Sequence, residues 1–160
     1  MKYRRLRQDE LQELESDFVK FLAANTVTAQ EWVKLKEEEP EKAERLIELF
    51  SDIVFDQILE RVEYLELKTP KDFRTFQCQE DRIEMLGLLV DGKTEFDFTQ
   101  NLSPQQMMAN MQLSGAKLKM YRGERTYKTD RKLEVFALME QGALISKKGE
   151  MFHTLKNLRS

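Results

Sequence analysis

The strongest periodic signal in the chain begins after Pro40, where apolar residues recur at three- and four-residue steps without interruption. Such spacing places the apolar side chains along one face of an α-helix. Pro40 suits the first turn, because its missing N–H would have no helical partner there. The pattern predicts one long helix that ends near residue 66. Its apolar positions are Ala43, Leu46, Ile47, Phe50, Ile53, Val54, Ile58, Val62 and Leu65.

Two shorter helical patterns precede this long helix. The first covers residues 9–24, where apolar residues again recur at helical steps. The second begins after Thr28, whose hydroxyl and Glu31 match a capping box. Together the three patterns predict a helical layer over residues 1–66.

The pattern changes after Thr69-Pro70 to segments typical of strands. Residues 73–78 fit a strand or a short helix capped by Thr69, and the sequence leaves both open. Residues 82–90 predict a buried strand, Asp91-Gly92 indicates a hairpin turn, and the alternation over 94–99 predicts a half-buried partner strand. A second hairpin is predicted over 117–128, with its turn at Arg122-Gly123.

Helical signals return in the second half of the chain. Ser103-Pro104 opens a helix that Gly115 ends, Asp130 caps another that Gly142 ends, and a short amphipathic segment follows. The predicted fold class is α+β: an N-terminal helical layer packed on a small antiparallel sheet, with further C-terminal helices. A chain of 160 residues fits one domain, which we expect to be helical over 1–66, sheet-rich over 67–129 and helical over 130–160.

Cysteine usage and the absence of long apolar runs indicate a cytoplasmic protein. Cys78 is the only cysteine, so neither an internal disulfide nor a multi-cysteine metal site is available, and a reducing compartment suits it. The basic N-terminus is followed by Asp9-Glu10 and not by the apolar stretch of a secretory signal. No run of about 18 apolar residues exists to span a membrane.

The chain offers no catalytic constellation, so we expect a protein that is not an enzyme and that binds no metal or cofactor. His153 is the only histidine and lies in the short C-terminal segment, which is typical of a surface or packing residue. Cys78 has no recognisable activating base. The acidic run 37–39 lies on a helix, where adjacent side chains diverge and cannot converge on one ion.

Residues Gly87–Thr94 fit the phosphate-binding pattern G-x-x-x-x-G-K-[ST]. A phosphate loop is a backbone cradle between a strand and a helix. Here bulky apolar residues fill the cradle, and a period-two pattern follows Lys93 instead of a helical one. Nucleotide binding through this segment is therefore a weak third hypothesis, and a hairpin is the preferred interpretation.

Charge is unevenly distributed and indicates a basic surface near the C-terminus. Residues 1–66 carry 10 basic and 17 acidic side chains, whereas residues 117–160 carry 11 and 5. Seven of the sixteen residues in 117–132 are basic, and two tyrosines lie among them. Basic groups neutralise phosphates and aromatic rings stack on unpaired bases, so nucleic acid, RNA above all, is a candidate partner. An edge hairpin whose lysines block aggregation is the structural alternative. The candidate nucleic-acid-binding residues are Lys117, Lys119, Tyr121, Arg122, Arg125, Tyr127, Lys128 and Arg131.

A second candidate surface is the methionine-rich helix that follows Pro104. Met107, Met108 and Met111 would suit a protein-interaction site, because methionine adapts to irregular partners. Methionine fills cores equally well, so core packing is the alternative. The leading hypothesis is a non-catalytic, cytoplasmic protein-interaction domain, and RNA binding through residues 117–132 is the alternative function.

Three segments of the first half resemble a family of short bacterial proteins of unknown function. They are Met1–Leu6, Phe21–Ala29 and Glu38–Glu44. The resemblance implies a bacterial, cytoplasmic, single-domain protein. It implies no activity and no site residue.

Overall fold

The computed structural model describes residues 1–92 and 94–159, and its chain divides into two compact units, Met1–Glu60 and Arg61–Ser160. Each unit is described by itself below. The predicted α+β class is confirmed, since helices precede and follow a five-stranded antiparallel sheet. The prediction of a single domain stays a prediction.

The first unit is helical, and it contains α1 (Gln8–Glu13), α2 (Glu15–Ala24), α3 (Ala29–Glu38) and α4 (Pro40–Arg61), the last of which ends one residue beyond it. The single helix predicted over 9–24 is two helices, because Leu14 leaves helical geometry at φ −103° and ψ 19°. The predicted cap of α3 is confirmed, with the Thr28 hydroxyl accepting from the N–H of Glu31 at 3.1 Å.

The N-terminal segment is held against α4 by polar contacts. The N–H groups of Lys2 and Tyr3 donate to the carboxylate of Asp52 at 2.8 and 3.1 Å. The buried hydroxyl of Ser51 accepts from the N–H of Leu6 at 2.9 Å, so this polar group in the α4 stripe is satisfied. Hydrogen bonds of this kind fix a terminal segment that would otherwise be poorly ordered.

The long helix α4 ends at Arg61, not near residue 66 as predicted. Leu65 continues the apolar spacing because it is a buried position of a strand, β1 (Tyr64–Lys68). Leu65 lies three positions after the buried Val62, a spacing that also continues a helical pattern. The spacing alone therefore could not show where α4 ends and β1 begins.

The second unit contains the sheet, whose strand order is β4-β3-β2-β1-β5 with antiparallel pairing throughout. The further strands are β2 (Asp72–Cys78), β3 (Arg82–Asp91), β4 (Lys117–Thr126) and β5 (Leu144–Ser146). Residues 73–78, which the sequence left open, therefore form a strand. The short strands β1 and β5 were not predicted.

The strand predicted over Thr94–Thr99 is wrong, and so is the hairpin at Asp91-Gly92. Asp91 is the last residue of β3, Thr94–Thr99 lie in a loop, and β3 pairs instead with β2 and β4. The alternation arises because the loop buries Phe96 and Phe98 and exposes Glu95. Lys71 anchors the loop, since its Nζ donates to the carbonyls of Thr94 and Phe96 at 2.7 and 2.6 Å.

The second predicted hairpin, with a turn at Arg122-Gly123, is also wrong. Residues 117–126 form one continuous strand that pairs with β3 along its whole length. A tight hairpin turn needs positive φ at its central residues. Gly123 is not among the residues with positive φ, and it lies opposite Met85 in the ladder.

Three helices complete the second unit: α5 (Pro104–Ser114), α6 (Arg131–Glu140) and α7 (Glu150–Arg159). The predicted opening of α5 is confirmed, because Ser103 and Gln106 form a reciprocal capping box with both contacts at 3.1 Å. Gly115 ends α5 in the left-handed region at φ 67°. Asp130 precedes α6 as predicted, but its side chain makes no capping hydrogen bond.

One hydrophobic core lies between the sheet, the Phe96–Phe98 loop, α5 and α7. Its aromatic centre is Phe98, whose ring makes edge-on contacts with Phe73 and Phe96 at centroid distances of 5.6 and 4.9 Å. The buried members are Phe73, Leu86, Leu88, Val90, Phe96, Phe98, Met107, Met111, Met151, Phe152 and Leu155.

Candidate interaction surface

The basic segment singled out in the sequence contains β4, and β4 is an edge strand of the sheet. Seven of its ten residues are exposed and none is buried. In an antiparallel pair, alternate residues of an edge strand direct their N–H and C=O groups away from the neighbouring strand. Within the described residues no strand pairs with this outer edge, so β4 presents a row of backbone donors and acceptors.

The two faces of β4 differ in chemistry. The register with β3 places Lys117, Lys119 and Tyr121 on one face, opposite Asp91, Leu89 and Gly87. Leu118, Met120 and Arg122 alternate with them and lie on the other face. The first half of β4 therefore carries a lysine pair on one face and an apolar pair on the other.

Tyr121 belongs to a polar cluster within the sheet. Its hydroxyl donates to the carboxylate of Asp72 and accepts from Nε of Arg74 at 3.2 Å, while Arg74 also contacts Asp72 at 3.0 Å. Burial, with the nearby Asp72 carboxylate, raises the pKa of the Tyr121 hydroxyl. The ring lies across Gly87, where a Cβ atom would come within 2.3 Å of Tyr121 Cζ. The close approach explains a glycine in the middle of a strand.

We expect Gly87→Ala to destabilise the protein by about 1–3 kcal/mol, because the added methyl group must displace the Tyr121 ring from its contact with Asp72. Denaturant unfolding measures the loss. Gly123→Ala is the matched control in the neighbouring strand, since its Cβ would meet only the flexible Met85 methyl group at 3.3 Å. Equal losses in the two variants would contradict the assigned role of the ring contact.

Tyr127 and Arg131 act within the fold. The Tyr127 hydroxyl donates to the carbonyl of Gln79 at 2.8 Å, and burial raises its pKa to about 12. Arg131 donates to the carbonyls of Gln79 and Cys78 at 3.1 Å each, and also to that of Val62. Its guanidinium thereby joins the start of α6 to the chain before β1 and after β2.

The remaining basic candidates differ in whether acidic groups neutralise them. Arg125 forms an ion pair with Glu134, and Arg122 lies 3.9 Å from Glu124. No ion pair within 4.0 Å is found for Lys117, Lys119 or Lys128 in the part of the chain that the structure describes. Two of these three lysines, Lys117 and Lys119, lie at the start of β4, and Lys128 follows its end.

The methionine helix is mainly a core element. Met107 and Met111 are each 2% exposed and belong to the core of the second unit, and Met108 packs against that core half-buried. These side chains face Phe98 and its neighbours, so α5 offers no methionine surface for a partner at positions 107 and 111.

The phosphate-loop pattern lies on a strand. Gly87 to Asp91 belong to β3 and pair with β4, so the residues between the two glycines form no open cradle. Gly92 follows at φ 88°, and the next helix begins only at Pro104. Lys93, the residue that the pattern would assign to phosphate contact, lies outside the described residues. The geometry of residues 87–92 does not match a phosphate loop.

The other reactive side chains occupy ordinary structural positions. Cys78 is buried, and burial raises the pKa of its thiol to about 11, so the unreactive protonated form prevails near neutral pH. His153 Nε2 lies 3.0 Å from the Tyr64 hydroxyl. Over residues 1–92 and 94–159, no three His, Cys, Asp or Glu side chains are grouped to hold a metal ion.

The family assignment rests on a match along the whole chain. A model for a family of unknown function (DUF6495) matches residues 1–160. The chain belongs to the DUF6495 family. No curated protein and no solved structure matches it. In this DUF6495 protein, none of the described helices combines the length and apolar character needed to cross a membrane.

Proposed function

We propose that this DUF6495 protein is a non-catalytic interaction domain of the bacterial cytoplasm that binds an extended, acidic segment of another protein along the outer edge of β4. The observation that carries the proposal is a ten-residue edge strand with no buried residue and a row of backbone groups facing away from the sheet. Addition of a partner strand to such an edge is a recurrent mode of peptide recognition, in which main-chain hydrogen bonds supply affinity.

The side chains of β4 select the chemistry of the partner. Lys117 and Lys119 lie on one face and form no ion pair within 4.0 Å among the described residues, although Asp91 lies opposite Lys117, so they favour acidic side chains beside them. Leu118 is 38% exposed on the opposite face and Met120 lies next to it, so they favour apolar side chains. An incoming strand with alternating acidic and apolar residues satisfies both faces at once.

A second copy of the same chain is a poorer occupant. β4 carries four basic side chains and one acidic one, so pairing two copies of this strand would bring like charges together. The lysines of a basic edge also oppose unspecific strand pairing. An acidic partner turns that repulsion into attraction, which makes the edge selective.

Nucleic acid fits the geometry less well than an acidic peptide. Both tyrosines that suggested base stacking are engaged within the fold, Tyr121 on Gly87 and Tyr127 with the carbonyl of Gln79. Arg131 donates to backbone carbonyls and is therefore unsuited to phosphate contact. Recognition of single-stranded RNA combines positive charge with aromatic side chains on which the bases stack.

The test titrates a labelled peptide of alternating valine and glutamate, of the same ten-residue length as β4, by fluorescence anisotropy. We expect saturable binding that weakens at least about tenfold in Lys117→Glu/Lys119→Glu, because the charge facing the glutamates is reversed. Lys20→Glu/Lys34→Glu is the matched control, since these exposed lysines of α2 and α3 give the same change in net charge. The control should bind like wild type.

Two comparison ligands make the outcome decisive. A peptide of alternating valine and lysine should not bind, and an oligouridine should bind more weakly than the acidic peptide. Equal affinity for the acidic peptide in both double variants would contradict the proposal. Tighter binding of the oligouridine, abolished by Lys117→Glu/Lys119→Glu, would assign the edge to RNA instead.

A further inference from the structure

A cleft of about 310 Å³ lies in the second unit, on the face of the sheet opposite to Tyr121. β1 and β5 form one wall, and the first turns of α5 and α7 form the others. This volume is at the lower end of the range typical of small-molecule sites. The complete lining is Glu66, Lys68, Phe73, Leu102, Pro104, Met107, Ser146, Lys147, Lys148, Glu150 and Met151.

The floor of the cleft is apolar and well packed. Phe73, Met107 and Met151 are each at most 2% exposed, so the floor is continuous with the core. Lys68 lies above it, with its Nζ 5.0 Å from the centre of the Phe73 ring. The accessible apolar lining is Leu102 and Pro104, which are half-buried beside this floor, so a ligand would place an apolar body against them, close to the positive charge of Lys68.

The rim of the cleft is charged, and the charged side chains that the structure describes there do not form ion pairs with one another. Five charged side chains line the cleft: Glu66, Lys68, Lys147, Lys148 and Glu150. No two of these described residues form an ion pair within 4.0 Å. Three ammonium groups face two carboxylates, so the net charge favours an anion. The first turns of α5 and α7 add the positive ends of two helix dipoles.

We infer that this cleft binds a small organic anion with an apolar body, such as an aryl- or alkyl-substituted carboxylate. The apolar part packs on the half-buried Leu102 and Pro104 beside the floor, and the carboxylate is held by Lys147 and Lys148. Ser146 offers a hydroxyl group on the same rim. The site is independent of the β4 edge, because none of its lining residues belongs to β4.

The charges around Glu66 favour an anion over a cation. Burial raises the pKa of the Glu66 carboxyl, while Lys68 lowers it and Glu150 raises it by a smaller amount. The effect of the ammonium group of Lys68 on a carboxylate at this position therefore exceeds that of Glu150, and Lys147 and Lys148 add further positive charge to the rim.

The test uses phenylacetate as the probe and methyl-labelled methionine NMR as the readout. The chain has eight methionines, and only Met107 and Met151 line the cleft. We expect phenylacetate to shift the methyl resonances of these two residues selectively, with a dissociation constant on the order of 1 mM, as is usual for a ligand of this size. Phenylacetamide, its neutral counterpart, should bind roughly tenfold more weakly.

Two variants tie the binding to the rim. Lys147→Gln/Lys148→Gln should weaken phenylacetate binding roughly tenfold without affecting folding, since both lysines are exposed. Lys20→Gln/Lys34→Gln should leave it unchanged. The inference is overturned if saturating phenylacetate leaves Met107 and Met151 unshifted, if phenylacetamide binds equally well, or if zwitterionic phenylalanine binds more tightly.

Discussion

Replacing Phe98 by alanine is expected to lower the free energy of unfolding by about 3–5 kcal/mol. Phe98 is fully buried and holds the centre of the core, with edge-on contacts to Phe73 and Phe96. Truncation removes both aromatic contacts and leaves a cavity beneath α5 and α7. Guanidinium unfolding followed by circular dichroism measures the loss.

The matched control for this prediction is Glu95→Ala in the same loop. Glu95 is exposed, so its removal should change the stability by less than about 0.5 kcal/mol. A loss below about 1 kcal/mol in Phe98→Ala would show that the loop does not pack into the core as the structure has it. The pair of variants thus tests the main departure from the predicted hairpin.

Arg131→Ala is expected to destabilise the protein by about 2–4 kcal/mol. Its guanidinium donates to three carbonyls, those of Val62, Cys78 and Gln79. A hydrogen bond to a charged donor is worth about 1.5–3 kcal/mol, and the variant removes this donor from the carbonyls of Val62 and Cys78, whereas that of Gln79 keeps the Tyr127 hydroxyl. Thermal and denaturant unfolding give the loss, and Arg131→Lys should recover only part of it, because an ammonium group cannot span the three acceptors.

The control for Arg131 is Arg125→Ala, which removes an ion pair between Arg125, at 48% side-chain exposure, and Glu134. Partly exposed ion pairs contribute little, about 0–1 kcal/mol. Equal losses at the two arginines would contradict the distinction between a structural and a surface arginine. Near-complete recovery by lysine would show that charge alone, and not the forked geometry, is required.

Features determined by neighbouring residues were predictable from the sequence. The capping contact of Thr28 with Glu31 was predicted correctly, and so was the helix opening at Ser103-Pro104, where the structure adds a contact of Ser103 with Gln106. The α+β class followed from the change of apolar period between the two halves of the chain. These signals are local, so a single sequence suffices to recognise them.

Features determined by distant pairing were not predictable. Phe96 and Phe98 alternate with polar residues in the same way in a strand and in a buried loop, and only contacts with Pro70 and Lys71 distinguish the two. Among the described residues β4 pairs with β3 alone and is therefore an edge strand. This pairing joins two strands that α5 separates in the sequence.

The candidate site was recognised in part. The basic character of 117–132 was visible, but the tyrosines in it suggested stacking on bases. Tyr121 in fact contacts Asp72, which lies 49 positions earlier, and Gly87 lies beneath the ring. The packing of the Tyr121 ring thus explains Gly87, the first glycine of the phosphate-loop pattern. Nothing in the spacing of these residues indicates the contact, since it arises from the register of three strands.

The most direct test of the proposed function is amide hydrogen exchange of β4 in the free protein and with the alternating valine–glutamate peptide bound. The N–H groups on the outer edge have no partner strand among the described residues and should exchange rapidly in the free protein. With peptide bound, strand addition predicts that alternate amides of residues 117–126 slow by at least about tenfold. Unchanged exchange in β4, or protection confined to another element, would contradict recognition through this edge.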